Sequence, residues 1–408
     1  MKYLVLLGDG MADYPLPELG NKTPLEAARL PNINFLAKNG KVGLVRTIPS
    51  GMPKGSDVAN LSVLGYDPRK YYTGRAPIEA ASMGVSLGSE DVAYRCNLVS
   101  LSGDANLSAC TMEDYSAGHI STPEAREIIL ALDKALGNAS FNFYPGVSYR
   151  HLMVWRKGRY KMACTPPHDI SLKAVGPFLP QGEGAGQLLE LMKKSREILP
   201  ALKANQERKA GGKKCADMIW LWGQGKRPAL PTFQERFGLS GAMISAVDLM
   251  KGLGKLVGFE VINVSGATGY LDTNYQGKIQ AALAALEEKD LAYVHVEAPD
   301  EAGHNGDLSA KIQALEDFDS KIVGPGMEGM KKFNDYRILV LCDHPTPISI
   351  RTHSDDPVPF ILYSPKEKGE GRSYNEREAK DSPYKLPDGS ALTDLFFGAS
   401  LEVQKLKG

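Results

Sequence analysis

The sequence predicts an α/β protein in which a mostly parallel sheet with helices on both faces is interrupted by an inserted α+β domain. Three observations carry this. Short, continuous apolar runs, "KYLVLL" at 2–7, "LAYVHV" at 291–296 and "RILVLC" at 337–342, have the look of strands buried on both faces. Helical patterns such as "YQGKIQAALAALEEKD" (275–290) lie between such runs. From about 86 to 235 that alternation stops.

Taken in order, the first strand (2–7) is closed by Gly8, Asp9 and Gly10. "NINFLAKNG" (32–40) reads as a helix stopped by Gly40, and "KVGLVRTI" (41–48) as the next strand. In the middle, "SFNFYPGVSYRHLMVWRKGRYKMACTP" (140–166) reads as antiparallel strands turning at Pro145-Gly146 and Lys157-Gly158. Helices at 123–136 and 186–209 flank it. Beyond it come a helix in 245–258, a strand "FEVINV" (259–264), the helix at 275–290 and the strand at 291–296. A largely helical stretch (311–333), the strand at 337–342 and a further strand "PVPFILYSP" (357–365) complete the pattern. The expected domains are 1–85 with 236–408 as one discontinuous catalytic domain, and 86–235 as the insertion.

With 408 residues, 43% apolar and 24% charged, the chain suits a globular protein of two domains. Lysines and arginines balance aspartates and glutamates, so nothing points to a nucleic-acid surface or a membrane face. The apolar run at the amino terminus is shorter than a signal-peptide core, and no window reaches the length of a membrane span. Five scattered cysteines with no C-x-x-C pair argue against a disulfide framework or a thiolate zinc site. A soluble cytoplasmic protein is the expectation.

Ligands of open parallel sheets sit beyond the carboxyl ends of the strands. There the first strand delivers Asp9, "LAYVHV" leads to Asp300 and His304, and "RILVLC" leads to Asp343, His344 and then His353. Carboxylates and imidazoles without thiolates suit Mn²⁺, Zn²⁺, Co²⁺ or Mg²⁺. Six such ligands exceed one tetrahedral ion, and two ions roughly 3.5–4 Å apart clamping a phosphoryl group is the economical reading. Ser56, in "PKGSDVANLSVLGYDP" (53–68), opens a short helix after Gly55. It is placed as an N-cap, and beside the ligand set it reads as a nucleophile. His295 and Cys342, within or just after their strands, read as core residues.

The segments "LLGDGMAD", "KGSDVANLSVLGYDP", "YYTGRAPIEAASMGV", "APDEAGHNGD" and "LCDHPTPISIRTHSDDPVPF" resemble the archaeal-type cofactor-independent phosphoglycerate mutases of the alkaline phosphatase superfamily. "SAGHIST", "VSYRHLMVW" and "PPHDIS" extend the resemblance through the insertion. It implies one Mn²⁺-like ion on Asp300, His304 and His353, and a second on Asp9, Ser56, Asp343 and His344. It implies that Ser56 takes the phosphoryl group of 3-phosphoglycerate and returns it to the other hydroxyl, with no 2,3-bisphosphoglycerate needed. The insertion becomes a substrate-clamping domain.

Candidate substrate contacts there are Arg150 and His151, with His119 and His168 beside them, because a guanidinium fork suits phosphate and carboxylate. In a regular strand Arg150 and His151 face opposite sides, so either a bulge turns both inward or only one touches substrate. Arg75 is a phosphate ligand or a surface arginine. Trp220, Trp222 and Lys226 read as interdomain packing. The rivals are a homoserine-kinase-like phosphotransferase, a phosphomutase or phosphatase for another small ester, and a binding protein with structural metals. No G-x-x-x-x-G-K-[ST] loop supports a nucleotide reading.

Overall fold

The computed structural model describes residues 1–103 and 106–398. The chain folds into two compact units, Met1–Tyr72 with Leu230–Gly408, and Thr73–Ala229. Helix Arg75–Ser82 packs inside the second unit, where Ala76 and Ala80 meet Ala93, Leu152 and Val154. That boundary therefore lies earlier than the expected residue 86.

The first unit is built on an eight-stranded sheet. Its order is Glu260–Ile262, Gly241–Ile244, Leu291–Val296, Lys2–Gly8, Tyr336–Leu341, Val358–Tyr363, Lys41–Val45 and Tyr384–Leu386. All neighbours pair in parallel except Val358–Tyr363, which runs antiparallel to both of its own. Tyr3 to Leu7 are buried at every position, which is why this strand reads as continuous rather than alternating. Register then fixes the site. Leu7 pairs with His295 on one side and Leu341 on the other, so three central strands end together. Asp9, Glu297 and Asp343 leave the sheet at one edge.

Several expected elements are shorter than the sequence suggests. The strand from Lys41 stops at Val45, and "FEVINV" keeps only Glu260–Ile262. The helix expected over 311–333 is helix Leu308–Phe318, a π-turn at Asp319–Val323 and helix Gly324–Met330. At that π-turn the Asp319 carboxylate accepts the backbone N–H groups of Asn32 (3.3 Å) and Ile33 (2.7 Å), satisfying the start of helix Pro31–Asn39. Strand Gly241–Ile244 escapes sequence reading because four residues show no period.

The second unit centres on the eleven-residue strand Val92–Ser102, which pairs antiparallel with Met218–Lys226 and Arg150–Trp155. Neither Val92–Ser102 nor Met218–Lys226 is legible as a strand, since Arg95 and Asn97 sit inside one and four glycine or polar residues end the other. Helices Thr122–Leu136 and Ala185–Ile198 bury Ile128, Ile129, Leu132, Leu188 and Met192 in this unit's core. Strand Phe141–Val147 continues past the expected Pro145-Gly146 turn with a shift of register between Tyr144 and Val147, and the chain reverses at Ser148, whose φ is 54°. Trp220 and Trp222 are core residues of this unit, with indole N–H groups donating to Thr165 O (2.7 Å) and Asn97 Oδ1 (3.0 Å). Among the described residues, no helix is long and apolar enough to cross a membrane.

Candidate active site

Asp9 follows the first strand and is 2% exposed. Its Oδ2 lies 2.9 Å from His295 Nε2, and among the described residues its buried Oδ1 has no hydrogen-bond partner. Burial and the charges of Asp343 and Asp300 push its carboxyl well above the usual carboxylate range. Asp343 accepts from Gly10 N–H (3.2 Å) and its neighbour's N–H (2.9 Å) on Oδ1, and from Asn60 Nδ2 (2.8 Å) on Oδ2. His344 Nε2 lies 3.5 Å from Asp9 Oδ1, 3.4 Å from Asp343 Oδ2 and 3.0 Å from Ser56 Oγ. Asp9, Asp343 and His344 thus bring donor atoms within 4.8 Å of one another.

A second cluster adjoins it. Asp300 Oδ2 is 3.3 Å from His304 Nε2, and Asp300 Oδ1 is 3.3 Å from His353 Nε2. The two imidazoles turn these nitrogens toward each other at 2.9 Å. Their Nδ1 atoms face backbone carbonyls, His304 that of Arg351 (3.1 Å) and His353 that of Lys54 (2.9 Å). Donating Nδ1–H to a carbonyl fixes the tautomer whose Nε2 lone pair is free for a cation. Burial would lower the His304 pKa, but the bond and charge of Asp300 outweigh it and raise it to about 9, so a cation taking Nε2 displaces the proton held there. His344, His353 and Asp300 also bring donor atoms within 4.8 Å, so the clusters share His344.

The residues fit divalent cations. Among the described residues, the ion-pair partners of Asp9, Asp300 and Asp343 are histidines only. Three buried carboxylates with no lysine or arginine are costly unless a cation joins them. The donors are all oxygen or imidazole nitrogen.

Ser56 is not the N-cap expected from sequence. Gly55 holds that position, and Ser56 is the first residue of helix Ser56–Val63, its hydroxyl turned to His344 instead. Asn60, one turn on and on the same face, ties Ser56 O (2.9 Å) to Asp343 and receives Tyr293 Oη–H (2.7 Å). The i,i+4 spacing from Ser56 was the available signal for Asn60. His295 likewise does more than fill the core. Burial, partly offset by Asp343, lowers its pKa to about 4, so it stays neutral. Its Nε2–H then donates to Asp9 while Nδ1 accepts from Ser245 Oγ at 3.2 Å. Cys342 is a buried core residue, as read. Asp307 is a helix cap, accepting Ala310 N–H at 2.9 Å.

In the second unit the other candidates gather on an aromatic and basic surface. Arg95, missed in the sequence because its strand was missed, is buried with its guanidinium 4.6 Å from the Trp222 ring centre. His168 stands edge-on to Trp222 (5.2 Å) and Tyr115 (6.1 Å). Tyr115 meets Tyr149, and Tyr149 meets both His119 (6.3 Å) and the Arg150 guanidinium (5.4 Å). Glu79 pairs with Arg75 Nε (2.9 Å) and Arg95 Nε (3.1 Å). Arg75 is therefore one of three charges in a partly buried cluster rather than a plain surface residue. His119 holds φ 49°, a left-handed conformation uncommon outside glycine. The strand keeps its alternation at the disputed pair: Arg150 is exposed, and His151 is buried with Nδ1 accepting Gly146 N–H at 3.0 Å.

The fold and the donor set define an α/β protein of the kind that collects divalent-metal ligands at the carboxyl edge of its sheet. Comparison with known proteins makes this specific. The family described as 2,3-bisphosphoglycerate-independent phosphoglycerate mutase matches residues 37–205. A probable mutase of that name from Geobacter sulfurreducens is 55% identical over 97% of this chain and 99% of its own. The Methanosarcina barkeri protein so named is 51% identical over 98% of this chain and 100% of its own. A solved Pyrococcus horikoshii protein superposes with a TM-score of 0.82 at 27% identity, covering 98% and 97% of the two chains. The chain belongs to the 2,3-bisphosphoglycerate-independent phosphoglycerate mutase family.

Proposed function

We propose that the protein interconverts 3-phosphoglycerate and 2-phosphoglycerate through a phosphoserine at Ser56. The observation that carries the reading is the Ser56 hydroxyl 3.0 Å from His344 Nε2, at the first residue of a helix and beside both ligand clusters. Asp300, His304 and His353 would hold one divalent ion, and Asp9, Ser56, Asp343 and His344 the other. When bound, the ions neutralise phosphoryl charge and make the serine hydroxyl easier to deprotonate. Manganese is the proposed metal, the cytoplasm the proposed compartment and glycolysis or gluconeogenesis the proposed setting.

The chain's own residues do the rest. Ser56 Oγ gives up its proton and forms a bond to phosphorus as the bond from phosphorus to the glycerate 3-oxygen breaks, and that oxygen takes up a proton in its place. Glycerate stays held and turns. Its 2-hydroxyl then loses a proton and bonds to phosphorus as the bond from phosphorus to Ser56 Oγ breaks, and Ser56 Oγ takes a proton back. The amide groups at the start of helix Ser56–Val63 favour negative charge at that point. Arg75, Arg95 and Arg150, with His119 and His168, are the proposed holders of carboxylate and phosphate in the insertion. His151, on the buried face of the same strand, accepts the Gly146 N–H.

Family membership favours this reading over a homoserine-kinase-like transfer. The test is to incubate the metal-loaded protein with 3-phosphoglycerate, without ATP or 2,3-bisphosphoglycerate, and follow phosphorus NMR. The 2-phosphoglycerate resonance should grow to equilibrium without matching release of inorganic phosphate. Steady phosphate release with no 2-phosphoglycerate would make the protein a phosphatase.

A further inference from the structure

We infer that Thr346 is a positioning residue that joins the two ligand clusters, holding Asp300 of one and His344 of the other through a single hydroxyl. The inference rests on the two-ion reading above. Thr346 is fully buried. Its Oγ1 bonds Asp300 Oδ1 and lies 3.3 Å from His344 Nδ1. A hydroxyl has one hydrogen, and an ionised carboxylate only accepts. The Thr346 hydrogen therefore goes to Asp300, and its oxygen accepts Nδ1–H from His344. That direction settles the His344 tautomer: Nε2 carries the lone pair and faces Ser56, Asp9 and Asp343.

The backbone of Thr346 is held as firmly as its side chain. Its N–H donates to Ala12 O (3.2 Å), and its carbonyl accepts from Lys311 Nζ (2.8 Å). Lys311 is itself fully buried and donates to Asp13 Oδ2 (2.7 Å) and Ala12 O (3.4 Å). Two glycines leave room for the link. A Cβ on Gly10, which sits at φ +62°, would lie 2.5 Å from Thr346 Oγ1, and one on Gly303 would lie 2.5 Å from Thr346 O. The segments bearing Asp9, Asp300 and Asp343 thus meet at this one side chain. One hydroxyl fixes a carboxylate of the first cluster relative to an imidazole of the second, and so the spacing between the two ion positions.

Mn²⁺ binding without substrate, read by the electron paramagnetic resonance signal of free Mn²⁺, tests this independently of turnover. Wild type should bind two ions. Thr346→Val keeps the shape and removes the hydroxyl, so both ions should weaken by on the order of 10–100-fold. Thr346→Ser keeps the hydroxyl and should restore both. If the valine variant does not fold, judged by circular dichroism, Thr346→Ala removes the same hydroxyl and replaces it in the comparison. Wild-type affinity for both ions in the variant lacking the hydroxyl would overturn the inference. So would loss of one ion alone, or a serine variant as weak as the valine one. A wild-type protein that takes up fewer than two ions would instead sink the two-ion reading, and the link with it.

Discussion

Asp9 depends on a neutral histidine. His295 lies 2.9 Å from its Oδ2, and among the described residues its Oδ1 is buried without a hydrogen-bond partner. Truncation to His295→Ala should leave that carboxylate unaimed and weaken one ion by about 10–100-fold, measured as Mn²⁺ affinity, with the other less affected. Ser56 makes the complementary prediction. Because Gly55 is the cap, Ser56→Ala removes no helix-capping bond. Its unfolding midpoint should stay within about 0.5 kcal/mol of wild type, while mutase turnover falls by several orders of magnitude. The residues that sequence reading singled out at the sheet edge are those with an ionisable or nucleophilic group on the segment that follows a strand. His295, Asn60 and Thr346 escaped it for one physical reason: each acts through another side chain. Their roles depend on a three-dimensional hydrogen-bond direction that a linear pattern does not show.

Elements bring these residues together, and the loops behind them are held by buried charge. Lys311 and Asp13 pair at 2.7 Å with both side chains fully buried. Lys311→Met leaves Asp13 without its cation and should cost about 3–5 kcal/mol, read as a lowered denaturation midpoint. Asp13→Asn added to that variant should recover part of the loss, since it removes the unpaired charge. Glu376 ties the same loop, accepting Asp13 N–H (3.0 Å) on one oxygen and the Thr23 hydroxyl (2.6 Å) on the other. Burial, opposed by these bonds, raises its pKa to about 7 from 4.5. The folded state keeps this proton to a higher pH than the unfolded chain does. Stability therefore falls as pH rises from about 4.5 through 7, and Glu376→Gln should flatten that part of the pH–stability curve. The parallel sheet was legible because its central strands are apolar at every position. The second unit's central strand was not, because Arg95 and Asn97 interrupt the apolar run and find partners only across the fold.

At the scale of the whole molecule, the chain passes between its units at residues 72–73 and 229–230. All the proposed ion ligands belong to the first unit, and the proposed arginine contacts belong to the second. The two sets of variants should therefore separate. Arg150→Ala should leave Mn²⁺ binding unchanged and raise KM for phosphoglycerate, as loss of one charge-assisted bond of about 1.5–3 kcal/mol requires. The central claim is that Ser56 carries the phosphoryl group between two hydroxyls of one substrate. Metal-loaded protein turning over 3-phosphoglycerate, quenched in acid and digested, tests it most directly by mass spectrometry of the peptide containing Ser56. The account predicts phosphate on Ser56 in wild type, none on that peptide in Ser56→Ala, and no mutase activity in that variant. An unmodified Ser56 peptide during steady turnover, or a Ser56→Ala protein that still makes 2-phosphoglycerate at the wild-type rate, would contradict it.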